Sequence, residues 1–209
     1  MREPKTEEIG EWRSVEPAEA AAWLTHLTVP WWIAGGWALD LFLGQRSRAH
    51  TDLDIGVLRR DIATALQALS RWELFEAKDG GLNHLPIGTL PRADVHSLWC
   101  RPEGTTPWAL EIMLDESDEA LWLFRREPTI RRPLSTLTRT SSSQIRYLAP
   151  EIQLLYKAKT VRPQDQADFE RVVQELDALA VEWLRDSLAR AYSGHPWINT
   201  LDGSKSMGA

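Results

Sequence analysis

The chain of 209 residues contains one cysteine, Cys100, so it can close no internal disulfide. That usage belongs with reducing surroundings, and a cytoplasmic protein is the expectation. No apolar run approaches the roughly 20 residues that a membrane-spanning helix needs. The first residues, MREPKTEEIGEW, also lack the apolar stretch of a secretion signal. Positive charge is scarce too: 24 Lys and Arg against 30 Asp and Glu give a net charge of −6. Broad nucleic-acid binding normally shows a basic footprint, so that partner class is disfavoured. No segment repeats another. Tryptophan, in contrast, is abundant, with 11 residues. Most are expected in core and inter-lobe space, and several could line a ligand cleft. A hydrophobic content of 43% and a charged content of 26% are ordinary for a globular chain, here one medium domain or two small lobes.

The most informative stretch is Trp31 to Val57, WWIAGGWALDLFLGQRSRAHTDLDIGV. An apolar run (Trp31, Trp32, Ile33, Ala34) stops at Gly35-Gly36. Trp37 to Leu43 then reads as a helix with Gly44 as its stop. A basic loop with Arg46, Arg48 and His50 follows, and Asp52-Leu53-Asp54-Ile55 reads as a second strand. Alternate strand residues share a face, which sets Asp52 beside Asp54. Asp is depleted in strands, and paired carboxylates repel unless a cation sits between them. Hard oxygen ligands of this kind suit Mg²⁺, which is usually held by one or two carboxylates plus substrate phosphates. A Gly-Gly turn at a helix start lets backbone N–H groups approach a phosphate. The plainer reading of each half is an exposed edge strand and a turn chosen only for its bend.

Gly35-Gly36 followed by Arg48-x-His50-x-Asp52-x-Asp54 resembles the signature of the DNA polymerase β-like nucleotidyltransferase superfamily. GGWALD followed by RAHTDLDI resembles most the small nucleotidyltransferases that modify aminoglycoside and lincosamide antibiotics. The resemblance covers about half of the chain strongly and the C-terminal part more loosely. It implies transfer of a nucleoside monophosphate from an NTP, ATP by expectation, to a hydroxyl of a small acceptor, with release of pyrophosphate. Mg²⁺ would lie on Asp52 and Asp54, and the triphosphate on Gly35, Gly36 and Arg48. It also implies a third acid on a neighbouring strand. Glu111, within the apolar WALEIML, is the favoured residue, as catalytic group and metal ligand. Asp94 in RADVH stands second, and Asp115 looks like a turn residue. Asp is the commoner residue at the third position, so Glu111 could serve as a base, a metal ligand or a salt-bridge partner. His50 is expected to brace the Asp-x-Asp loop, and Asp40 to pair with Arg46 or Arg48. Lys157 in LLYKAK resembles a lysine that reaches the triphosphate, although a solvated helix lysine fits equally. Asp165 is expected as a cap, and Asp168 as a holder of Lys157 or Arg162.

The remaining pattern predicts an α+β fold. Its parts are a nucleotidyltransferase lobe over 1–145, a mixed β-sheet flanked by helices, then a helical lobe over 146–201 and a flexible tail over 202–209. Helices are predicted over Pro17–Leu27, over Ile62–Ser70 behind Asp61, from Pro150, from Asp165, and over Ala180–Tyr192. Strands are predicted at Trp72–Ala77, at Trp122–Arg126, and as a hairpin of Ala93–Cys100 with Trp108–Leu114. Asp79–Pro91 reads as turn or loop, and Arg131–Ser143 as a basic connection. Two other functions remain open: a toxin–antitoxin nucleotidyltransferase acting on tRNA or protein through Arg125, Arg126, Arg131, Arg132 and Arg139, and a non-catalytic NTP-binding module.

Overall fold

The computed structural model describes residues 10–204. Helix α1 (Pro17–Trp23) leads into β1 (Trp31–Ile33), α2 (Gly35–Leu43) and β2 (Asp54–Leu58). Helix α3 (Ile62–Ala68) precedes β3 (Trp72–Lys78), β4 (Gly81–Leu85), β5 (Ser97–Pro102) and β6 (Leu110–Asp118). The short strands β7 (Leu121–Leu123), β8 (Arg131–Pro133), β9 (Thr138–Thr140) and β10 (Arg146–Leu148) follow. Helices α4 (Pro150–Lys157), α5 (Pro163–Val172), α6 (Ala178–Ala191) and α7 (Trp197–Ser204) complete the chain. The strands form one ten-stranded sheet in the order β4-β3-β5-β6-β2-β1-β10-β9, with β7 and β8 continuing from β6. Pairs β2–β6 and β1–β10 are parallel and the others antiparallel, the mixed sheet that the sequence pattern predicts.

Strand β6 shows why the sheet has two unlike faces. Leu110, Ile112 and Leu114 are buried, while Glu111 and Met113 between them are half-buried. The period of two sends the aliphatic side chains into the core and leaves the alternate ones on the other face. Ile55, Val57 and Leu98 join the core from β2 and β5, and the same apolar cluster runs on through Leu154, Leu155, Leu184 and Trp197 of the helices. No described helix is long and apolar enough to cross a membrane.

Several boundaries differ from the sequence pattern. The predicted loop Asp79–Pro91 contains β4, joined to β3 by Asp79-Gly80, both at positive φ (52° and 75°). That backbone is the one a two-residue hairpin prefers. Strand β4 hides from the pattern because Asn83 and His84 are exposed and only Leu85 is buried. The predicted connection Arg131–Ser143 contains β8 and β9, each three residues long and too short to display a period. Strand β10 still pairs with β1, so the chain leaves the sheet at Ala149. Helix α7 follows the last predicted helix and takes in residues 202–204 of the expected tail; residues 205–209, like 1–9 at the other end, lie outside the described residues.

Candidate active site

The site is built where β1 turns into α2. Helix α2 begins at Gly35, earlier than the predicted Trp37, and Gly44 closes it with φ +69° as expected. Gly35 has φ +63°, and a Cβ there would stand 1.8 Å from Asp54 Oδ2. A Cβ on Gly36 would stand 2.3 Å from an Arg48 guanidinium nitrogen and 2.6 Å from the His50 ring. The two glycines therefore let the backbone lie directly against the acid and the basic loop. The Gly35 N–H donates to Gln153 Oε1 at 2.7 Å, so α4 reaches back to the start of α2.

The acids come together through register. Strand β2 begins at Asp54, with Asp52 just before it in the loop rather than within the strand. Asp54 lies opposite Glu111 across the parallel β2–β6 pair. Oxygen atoms of Asp52, Asp54 and Glu111 lie within 4.8 Å of one another, the one such group among the described residues with the makings of a metal site. Withdrawal from water, then the neighbouring Glu111 and Asp52 charges, hold the Asp54 carboxyl well above its ordinary range. Withdrawal from water also raises Glu111, with Asp52 adding to it, against a hydrogen bond from Ser97 Oγ to Glu111 Oε1 at 2.6 Å. Three half-buried carboxylates so close suit a divalent cation.

The other two candidate acids lie apart from this group. Asp94 is exposed and ion-paired with Lys78. Asp115 is not a turn residue: it sits within β6, 3% exposed, and its Oδ1 accepts from Trp122 Nε1 (2.9 Å) and Tyr156 Oη (2.7 Å). Burial raises its pKa.

The cations are held by acids on α5. The Lys157 side chain is only 7% exposed, which excludes the solvated-lysine reading, and its Nζ lies 2.6 Å from Asp165 and 3.1 Å from Asp168. Asp168 also receives Arg48 Nε at 3.2 Å, tying the basic loop to α5. Asp165 caps the start of α5 from its third residue: its Oδ2 accepts from the Arg162 backbone N–H and from Arg162 Nε. Burial opposes its ionisation, but hydrogen bonds from Arg162 and Lys157 pull the Asp165 carboxyl down to about 2. Asp40 pairs with neither Arg46 nor Arg48. It accepts from Ser47 and lies 2.6 Å from His50 Nε2, which makes it the brace behind His50.

A cleft of about 500 Å³ opens over Arg48, Asp52, Asp54, Lys157 and Asp165. Gly35, Gly36, Asp52 and Asp54 line its sheet side, and Gln153, Tyr156 and Lys157 come from α4. Gln153 and Tyr156 escape the sequence reading. The signal for Gln153 was a polar residue between Ile152 and Leu154, both fully buried, and it is itself 7% exposed. The arginines of the basic run do not form one surface. Arg125 and Arg126 line the cleft, Arg132 and Arg139 pair with Glu151, and Arg126 donates to the Tyr156 carbonyl and to Tyr192 Oη.

Known proteins resemble this chain in family and fold. A family profile described as aminoglycoside-2''-adenylyltransferase matches residues 18–172. No curated protein matches. Among solved structures, lincosamide antibiotic adenylyltransferase LnuA, lincomycin-bound, superposes with a TM-score of 0.54 at 17% identity, covering 79% of this chain and 99% of that one. The antibiotic-resistance factor ANT(2'')-Ia in solution gives a TM-score of 0.52 at 20% identity, covering 88% of this chain and 92% of that one.

Proposed function

The chain belongs to the aminoglycoside-2''-adenylyltransferase family, and from that premise we propose that it moves a nucleoside monophosphate, with ATP as donor, to a hydroxyl of a small antibiotic-like acceptor. The observation that carries this reading is the group of Asp52, Asp54 and Glu111, with Asp54 pressed against the backbone of Gly35. Mg²⁺ held by these acids would neutralise phosphate charge and orient the leaving pyrophosphate. Lys157 and Arg48, fixed by Asp165 and Asp168, would meet the triphosphate from the α4 side. Gly36 and the start of α2 would approach it through the backbone. Glu111, whose raised pKa suits a proton acceptor, would take the proton of the acceptor hydroxyl or place the metal. That oxygen then bonds to the α-phosphorus as the bond to pyrophosphate breaks. An RNA acceptor is less favoured, since Arg132 and Arg139 are paired with Glu151 rather than presented in a stripe.

The test incubates the protein with Mg²⁺, each labelled NTP, and lincomycin, tobramycin or bulk tRNA, reading pyrophosphate release and product mass together. A nucleotide-sized mass gain on lincomycin or tobramycin, lost in Asp52→Asn, is the expected result. A gain on tRNA alone would replace the small-molecule acceptor. No turnover and no Mg²⁺-dependent NTP binding would remove the enzymatic reading.

A further inference from the structure

Helix α2 has no cap of its own. Its N-cap residue is Ala34, whose side chain offers no oxygen to the N–H groups of the first turn. The missing acceptor comes from α4 across the cleft, where Gln153 Oε1 takes the Gly35 N–H at 2.7 Å. One residue earlier, the Ala34 N–H donates to the Asp54 carbonyl at 2.8 Å, so two successive N–H groups fix this turn. A polar side chain as enclosed as Gln153 costs free energy without a partner, and Gly35 is that partner. Gln153 and Lys157 stand four residues apart on α4 and so share a face. Lys157 pairs with Asp168 at 3.1 Å, Asp168 with Arg48 at 3.2 Å, and a Cβ on Gly36 would meet the Arg48 guanidinium. Both glycines at the head of α2 are therefore held from one face of α4, Gly35 directly and Gly36 through this chain of pairs.

The chemistry of the place suits glutamine. Lysine or arginine could not accept the Gly35 N–H. Glutamate could, but its charge would join those of Asp52, Asp54 and Glu111 and oppose a triphosphate. The neutral amide caps the helix without adding to that charge. Contact at Gly35 carries the effect onward to the acids. A Cβ there would stand 1.8 Å from Asp54 Oδ2, so this backbone and the carboxylate cannot shift independently. We propose that Gln153 is a positioning residue for the transfer: its Oε1 caps α2 from across the cleft, fixes the Gly35 turn, and so holds the Asp54 carboxylate and the Gly36 N–H in place for the triphosphate. A displacement of about 1 Å at such a turn costs about a hundredfold in rate. This inference rests on the nucleotidyl-transfer reading of the same site.

The experiment compares wild type, Gln153→Met and Gln153→Glu. Met keeps the length without the acceptor, whereas Glu keeps the acceptor. Ala34-Gly35 is the one Ala-Gly pair in the sequence, so carbonyl-labelled alanine with nitrogen-labelled glycine isolates the Gly35 amide signal by NMR. Kinetics use Mg²⁺, ATP and lincomycin or tobramycin, and thermal unfolding checks the fold. Gln153→Met is expected to displace the Gly35 signal and to lower kcat at saturating ATP about ten- to a hundredfold. Its acceptor KM is expected within about twofold of wild type. Gln153→Glu is expected to keep the Gly35 signal in its hydrogen-bonded range and to restore most of the kcat, at a raised ATP KM. A purely structural side chain would lower the melting temperature of Gln153→Met and leave kcat unchanged, which overturns the proposal. An equal loss of kcat in Gln153→Glu with the Gly35 signal in place also overturns it. Should Gln153→Met not fold, Gln153→Glu decides: a kcat within about threefold of wild type sustains the proposal, and a larger loss overturns it. If wild type transfers nothing to either probe, the acceptor reading fails by itself. The positioning is then read from the affinity for a non-hydrolysable ATP analogue with Mg²⁺. Weaker binding by Gln153→Met sustains it; binding equal to wild type, or none by wild type, overturns it.

Discussion

Gly35 is where backbone shape and chemistry meet. Its φ of +63° costs a non-glycine residue about 1–3 kcal/mol, and its missing side chain leaves room for Asp54. Gly35→Ala is expected to lower activity at least about a hundredfold by displacing that carboxylate, with a lowered melting temperature as the independent check. Glu111 makes a cleaner test, because Gln keeps its shape and its bond with Ser97. Glu111→Gln is expected to cut kcat by about 10²–10⁴-fold if the group accepts the hydroxyl proton, at an almost unchanged melting temperature. Stopped assays and thermal unfolding on the same samples decide it. The two glycines were legible in the sequence because Asp54, which presses on Gly35, and Arg48 and His50, which press on Gly36, lie within one short window, whereas Glu111 was found by a charge set in an apolar strand. The partner of Asp40 was not legible: the polar loop offered Arg46, Arg48 and His50 at similar spacing, and only the folded loop brings the His50 ring to the Asp40 carboxylate.

Among the elements, α5 anchors the cations of α4 and of the basic loop. Its Asp165 has a carboxyl held at about 2 against an ordinary 3.8. A depressed carboxyl gives stability that is complete above its ordinary value and is lost as pH falls toward the folded value. The difference is worth about 2 kcal/mol. Urea unfolding of wild type and Asp165→Asn is therefore expected to show a constant gap of about that size from pH 8 to 5, closing between about pH 4 and 2. A gap that changes near neutrality would contradict this. Strong periods made β6, α4 and α6 readable in advance, whereas β4, β8, β9 and β10 were not. Three of these strands are three residues long, and β4 turns polar side chains outward. Pairing across the sheet, not local pattern, stabilises such strands.

For the molecule as a whole, the sheet and the helices after it share one apolar cluster, and polar links add to it at the site, Gly35 to Gln153 and Arg48 to Asp168 among them. A ligand lying between them stabilises both. With Mg²⁺ and a non-hydrolysable ATP analogue at about one hundred times its Kd, the gain is about 2.7 kcal/mol, or roughly 5–10 °C in melting temperature for a chain of this size. Differential scanning calorimetry would show it as one shifted transition, and Asp54→Asn should remove most of the shift. The pairing of Asp54 with Glu111 also bears on how such a protein diversifies. That one alignment of parallel strands joins the acids, so the loops between Leu58 and Leu110 that lie away from β5 can lengthen or shorten while the register of Asp54 and Glu111 is kept. Loop length outside the paired strands is thus decoupled from the meeting of the acids, and such loops can be exchanged while that meeting is inherited intact.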